Sequence, residues 1–163
     1  MYLVLRFVTA LILVASVPLD AAIADKRVAL VVGNSAYKHA GRLANPGKDA
    51  FDVAVALRRK GFVVIEGMDL NKFTFVSKVQ EFERSAAGAE IALFFYAGHG
   101  VQISGQNYLV PIDAKLETAA AVATELLAAS LIYRATSGRA RFSIVVLDAC
   151  RDNPLSEQLK MRN

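Results

Sequence analysis

Residues 91 to 100 read IALFFYAGHG, an unbroken apolar and aromatic run that stops at Gly98-His99-Gly100. A strand apolar on both faces is buried on both, as in a parallel sheet covered by helices. The same pattern recurs along the chain. RVALVV (27 to 32) runs into Gly33-Asn34, Phe62 to Ile65 forms a second strand, and Arg141 to Leu147 a fourth that ends in Asp148-Ala149-Cys150.

Helical spacing fills the intervals. Asn45-Pro46 has the cap-then-first-turn signature, and Ala50, Val53, Ala54 and Leu57 repeat at helical period to about Lys60, where Gly61 stops them. From Asn71 to about Ala87, Phe75, Val79, Phe82 and Ala86 mark a second buried stripe, closed by Gly88. VQISGQNYLVP alternates around Ser104-Gly105 as an antiparallel hairpin does, and an alanine-rich region leads through a third helix over about 123 to 136. The prediction is a doubly wound α/β sandwich: a mostly parallel sheet, helices on both faces, no internal repeats.

With 163 residues, 55% of them hydrophobic, 9% aromatic and 21% charged, the chain suits one packed domain and lies far from the disordered regime. The net charge of +4 is modest. Its basic residues, such as Arg58, Arg59, Lys60, Arg139 and Arg141, are scattered without interleaved aromatics, which argues against a nucleic-acid partner.

The first 24 residues read as a secretory signal peptide: Arg6, an apolar stretch from Phe7 to Val17, and Ala22-Ile23-Ala24 as a cleavage site before Asp25. That predicts a secreted or periplasmic domain over 25 to 163; the alternative is an uncleaved membrane anchor. A single cysteine cannot form a disulfide within the chain, so Cys150 is a free thiol in an oxidising compartment.

In open parallel sheets, function collects at the carboxyl ends of the strands. The loops after the third and fourth strands carry His99 and Cys150, so a thiol and an imidazole can meet on one rim, the minimal parts of a cysteine nucleophile. Each alone has a plainer reading. A lone cysteine is most often a small core residue, and a histidine between glycines is often merely tolerated.

The stretches FFYAGHG and VVLDACRDNP, with RVALVVGNSAY, NPGKDA and NYLVPIDA in order before or between them, resemble the caspase and metacaspase superfamily of cysteine peptidases, most closely the bacterial caspase-like proteins. That family's signature likewise has a histidine about 50 residues before the cysteine. The resemblance runs from about Arg27 to Pro154. It implies that Cys150 is the nucleophile and His99 its general acid/base partner. It places the oxyanion on the backbone N–H groups of Gly100 and Cys150, and names no third triad residue.

Asp-cleaving caspases resemble one another in a glutamine two residues before the nucleophile, where this chain has Asp148. Metacaspases and paracaspases carry aspartate there and at the position matching Asp49. Two carboxylates in one pocket imply polypeptide cleavage after Arg or Lys. The plainer readings are that Asp49 sits in a helix first turn, where a carboxylate favours the dipole, and that Asp148 is loop polarity. Arg151 and Asp152 pair with each other on the plain reading, and His39, after the first strand rather than the third, is not expected to be the base.

The chemistry requires no cofactor or metal. Many metacaspases are activated by calcium, but no ligand residue is assigned. Caspase-like domains also continue into a smaller portion that adds two strands beside the cysteine strand. LSEQLKMRN offers none, so the expectation is that this portion is missing and that the 142 to 147 strand forms an unprotected edge. Three explanations stand: the sequence is a fragment of a longer reading frame, a small subunit or a second copy takes that edge, or the protein is a degenerate remnant. Two other readings stand beside peptidase activity: a catalytically impaired interaction module, and a small-molecule binder of Rossmann type at Gly33-Asn34, which lacks the G-x-G-x-x-G spacing.

Overall fold

The structure, a computed structural model, describes residues 26–118 and 121–149. The expected signal peptide, Cys150, Arg151 and Asp152 lie outside the described residues. The elements in order are β1 (Arg27–Gly33), α1 (Pro46–Arg59), β2 (Phe62–Met68), α2 (Lys72–Ala86), β3 (Ala89–Ala97), β4 (Gly100–Ile103), β5 (Gln106–Leu109), α3 (Ala121–Glu125), β6 (Leu127–Ala128), α4 (Ala129–Thr136) and β7 (Ala140–Asp148).

β2, β1, β3 and β7 lie side by side in that order, and every pairing is parallel. The continuous apolar runs are explained by what lies on each face. Val28, Leu30 and Val32 of β1, with Phe94 and Tyr96 of β3, pack against α2 and α4, while Ala29, Val31, Phe95 and Ala97 pack against Ala50 and Ala54 of α1. The doubly wound arrangement is therefore as the sequence predicts. A second, antiparallel sheet of β4, β5 and β6 makes the whole mixed.

α1 comes close to the sheet because both sides are small. A Cβ on Gly33 would lie 2.6 Å from the Pro46 carbonyl oxygen and 2.8 Å from the Ala50 Cβ. α2 starts at Asn71, whose side chain accepts from the Thr74 amide at 2.9 Å, and it buries Phe75, Val79, Phe82 and Ala86 as the periodicity predicts.

Two local expectations fail. Asn45 makes no side-chain cap on α1; the Ser35 hydroxyl, from the loop after β1, accepts from the Gly47 amide at 3.1 Å. A cap supplied across the fold leaves no trace in the local sequence. The single helix expected over about 123 to 136 is split into α3 and α4 by β6, which sets Leu127 opposite Leu109 and Ala128 opposite Tyr108. Glu125 holds this break in place by accepting from the Lys115 and Leu116 amides at 2.6 and 2.9 Å. Burying Leu126 and Leu127 against the small sheet outweighs the helix propensity of the alanines around them.

β7 is an edge strand among the described residues. Its Val145 and Leu147 pack on the core side against α4 and its neighbours. On the other face, Phe142, Ile144 and Val146 stand beside Ile91, Leu93 and Phe95 in register and remain 52%, 42% and 42% exposed. α1, packed across β1, β2 and β3, leaves that strip open.

Candidate active site

Parallel strands put their carboxyl ends on one rim, and β3 and β7 end there together. Ala97 is in register with Asp148, and the Gly98 amide donates to the Asp148 carbonyl at 3.3 Å. One residue further on, a Cβ on Gly100 would lie 3.0 Å from the Ala149 Cβ. Glycine at 100 therefore lets the residue that precedes Cys150 pack against the loop that bears His99. Cys150 itself is outside the described residues, so its contacts are not part of this geometry.

His99 is half-buried and held from the loop that follows β1. Its Nε2 lies 2.9 Å from the Gly41 carbonyl oxygen. A carbonyl only accepts, so Nε2 carries the proton, and in the neutral ring Nδ1 is left as the basic nitrogen. The Tyr37 ring lies against the imidazole, with centroids 4.4 Å apart and planes tilted by 51°.

The backbone of His99 is held as firmly as its ring. The His99 amide donates to the Tyr37 hydroxyl at 2.7 Å, and the Tyr96 hydroxyl donates to the His99 carbonyl at 2.8 Å. That carbonyl also accepts from the Val110 amide at 3.1 Å, which ties the loop to the end of β5. The two hydroxyls are 3.2 Å apart. A Cβ on Gly98 would lie 2.6 Å from the Tyr37 oxygen and 2.7 Å from the Tyr96 oxygen, so the tyrosine pair excludes any side chain at that position.

Asp49 is half-buried in the first turn of α1, where its amide donates to the Asn45 carbonyl at 2.9 Å. Asp148 is exposed at the end of β7. Strand alternation puts Asp148 on the same face as its partner Ala97, which packs against α1 beside Ala50. Both carboxylates thus belong to the α1 side of the rim. Among the described residues, no hydrogen bond or ion pair takes up either carboxylate. On the opposite side of the β7 end is a hollow lined by Gly100, Val101, Tyr108, Leu109, Leu147 and Ala149.

Gly33-Asn34 does not present itself to a ligand. Asn34 is fully buried; its side chain accepts from the Leu70 amide at 2.9 Å and donates to the Val110 carbonyl at 3.2 Å, joining three loops. That corrects the Rossmann-type reading, because the loop's polar groups are consumed in holding the rim together. His39 is exposed on the same loop as Tyr37 and Gly41. Among the described residues, no group of three His, Cys, Asp or Glu side chains is placed to hold a metal ion.

Sequence reasoning passes over Gly41 and Tyr37. Tyr37 belongs to the matched stretch RVALVVGNSAY, but a hydroxyl contact to a residue 62 positions away and a carbonyl contact across 58 carry no local signal.

Fold and rim together define an α/β sandwich domain of the caspase-like class. The chain belongs to the cysteine-peptidase family C14, described as Caspase domain, whose sequence pattern matches residues 26–163. It is 33% identical over 95 residues to the human mucosa-associated lymphoid tissue lymphoma translocation protein 1, covering 58% of this chain and 12% of that protein. The mouse homolog is 33% identical over 92 residues, covering 56% of this chain and 11% of the relative. The chain thus matches only a small part of either relative. The crystal structure of protein GSU0716 from Geobacter sulfurreducens superposes with a TM-score of 0.60 at 22% identity, over 77% of this chain and 50% of that one, a likeness of fold.

Proposed function

We propose that this chain is an exported cysteine endopeptidase domain that hydrolyses polypeptides after Arg or Lys, with Cys150 as nucleophile and His99 as general acid/base. The observation that carries the reading is the bond from the Gly98 amide to the Asp148 carbonyl, which brings the strand leading to Cys150 alongside the His99 loop. In this reading the Cys150 thiolate attacks the scissile carbonyl carbon, and the oxyanion that forms is held by the Gly100 and Cys150 amides. The His99 ring passes a proton to the departing amine, which leaves as a neutral amino terminus. A water molecule then attacks the thioester, gives its proton to His99 and releases the carboxylate and the thiol. The Gly41 carbonyl, at 2.9 Å from Nε2, leaves Nδ1 for both transfers.

The basic specificity rests on Asp49 and Asp148, which sit on the same side of the rim and, among the described residues, have no hydrogen bond or close ion pair to either carboxylate. The open face of Phe142, Ile144 and Val146 supports a partner chain at the β7 edge, a small subunit or a second copy. Unpaired strand groups on an edge are what an added strand satisfies. The segment before Asp25 would direct export, with cleavage after Ala24; among the described residues no helix is long and apolar enough to cross a membrane.

The test is hydrolysis of fluorogenic peptides ending in Arg, Lys or Asp by the purified protein and by its Cys150→Ala variant, with and without calcium. Cleavage of basic peptides that the variant abolishes is the expected result. A protein that binds a partner chain yet cleaves none of the peptides at any calcium level would instead be the impaired interaction module. Preference for Asp peptides would overturn the pocket and leave the nucleophile standing.

A further inference from the structure

The hydrogen bonds around His99 have only one consistent set of directions. The His99 amide can only donate, and it donates to the Tyr37 oxygen. The Tyr96 hydroxyl has a single proton and faces two carbonyls, those of His99 at 2.8 Å and Val110 at 3.2 Å, which can only accept. Its proton therefore goes to a carbonyl, and across the 3.2 Å between the hydroxyls Tyr37 must be the donor. The result is a closed circuit that starts at the amide of His99, passes through both hydroxyls and returns to its own carbonyl. All bonds point the same way, so each polarises the next.

We propose that Tyr37 is a positioning residue for His99: its hydroxyl, relayed through Tyr96, fixes the His99 backbone, while its ring packs on the imidazole so that Nε2 meets the Gly41 carbonyl. The inference rests on the reading of His99 as the general acid/base. Tyr37 and Gly41 belong to one loop, so the backbone, the ring face and one ring nitrogen of His99 are all set by the segment between β1 and α1. Burial raises the pKa of Tyr37 and raises that of Tyr96 well above its usual value, so both keep the proton that the circuit requires. Gly98 follows from the same circuit, since a Cβ there would occupy the space of both hydroxyl oxygens.

The decisive variant is Tyr37→Phe in the full chain, which keeps the ring and removes the hydroxyl. Two readouts go beyond stability: kcat and KM on the best basic peptide, and the 15N chemical shifts of the His99 ring, which report its tautomer. The expected result is a kcat lower by about 10- to 100-fold with KM little changed, and a ring that samples both tautomers where the parent protein holds the proton on Nε2. Tyr96→Phe breaks the same circuit without touching the ring contact, and Tyr37→Phe/Tyr96→Phe should be no worse than Tyr37→Phe alone. A folded Tyr37→Phe protein with parental kcat and a parental tautomer overturns the proposal, even if its melting temperature falls. If His99→Ala retains activity, the acid/base reading fails whatever Tyr37 does. If His99→Ala is dead and Tyr37→Phe is fully active, only the positioning role fails. The tautomer measurement needs no turnover, so a chain that cleaves nothing still decides whether Tyr37 orients the ring.

Discussion

Gly98 and Asp148 join two strand ends at the candidate site: the amide of one donates to the carbonyl of the other at 3.3 Å, at the point where β3 and β7 leave the sheet together. Residues on either side of this bond diverge into loops. The histidine comes next on one strand, and the cysteine two positions later on the other. Parallel pairing therefore sets the end of β7 beside the loop that carries His99, before any side chain is considered.

Asp148→Asn should reduce kcat/KM on Arg peptides by about tenfold or more, the size of a lost charge-assisted contact, mostly through KM. Asp49→Asn should act in the same direction, and the double variant should prefer neutral residues before the cut. Initial rates on a matched Arg, Gln and Asp peptide set check this. Unchanged selectivity in both single variants would mean that neither carboxylate reads the substrate.

Gly98→Ala should destabilise the fold by about 2 kcal/mol or more, because the added methyl overlaps both tyrosine oxygens and the well-packed site has little room to give. Urea unfolding followed by tyrosine fluorescence measures it. Gly105→Ala makes a useful comparison: it too has a positive φ, but a Cβ there meets nothing within 4 Å, so it carries only the backbone strain.

Stability should fall as the solution becomes alkaline. Tyr37 and Tyr96 both have folded pKa values raised, chiefly by burial, so above tyrosine's usual value of about 10 the unfolded chain loses protons that the folded chain retains. With fewer protons on the unfolded state, the slope of unfolding free energy against pH is negative. Their contribution is complete below about pH 10 and is lost as pH rises through the folded values. Melting temperatures of the parent and Tyr37→Phe proteins across this window should show a shallower alkaline decline in the variant. Parallel declines would remove Tyr37 from the account.

Ile144→Lys should leave the unfolding free energy nearly unchanged, within about 0.5 kcal/mol, because the side chain is already partly exposed on an edge strand. If a partner chain covers this strip, the charge should abolish association. Sedimentation velocity over a range of concentrations tests a second copy as partner. Equal sedimentation of parent and variant at every concentration would exclude it.

Asn34→Leu should cost about 2 kcal/mol or more, since it strands the Leu70 amide in a buried site and takes one of its two donors from the Val110 carbonyl. Chemical denaturation reads the loss. Its second effect should be on the rim, because Val110 also donates to the His99 carbonyl.

Much of the fold was legible in the sequence because buried parallel strands must be apolar on both faces. The runs at 27 to 32, 91 to 97 and 141 to 147 contain little else, and the helical stripes between them leave one class of sandwich. The strand ends were legible for the same reason: apolar runs stop abruptly at Gly33, Gly98 and Asp148. The break between α3 and α4 was not legible, because alanine-rich sequence favours a helix until two leucines are required by another sheet. Nor was the Ser35 cap on α1, since donor and acceptor come from different parts of the chain.

By itself, the sequence determined the layered α/β class, the family motifs and the position of His99 at a strand end, because apolar periodicity and glycine placement are local consequences of burial and backbone freedom. Only the tertiary structure decided what holds His99: the Tyr37 and Tyr96 hydroxyls and the Gly41 carbonyl converge on it from separate segments. Hydrogen bonds are short-ranged and directional, so partners this distant in sequence meet only once the sheet has set the loops side by side.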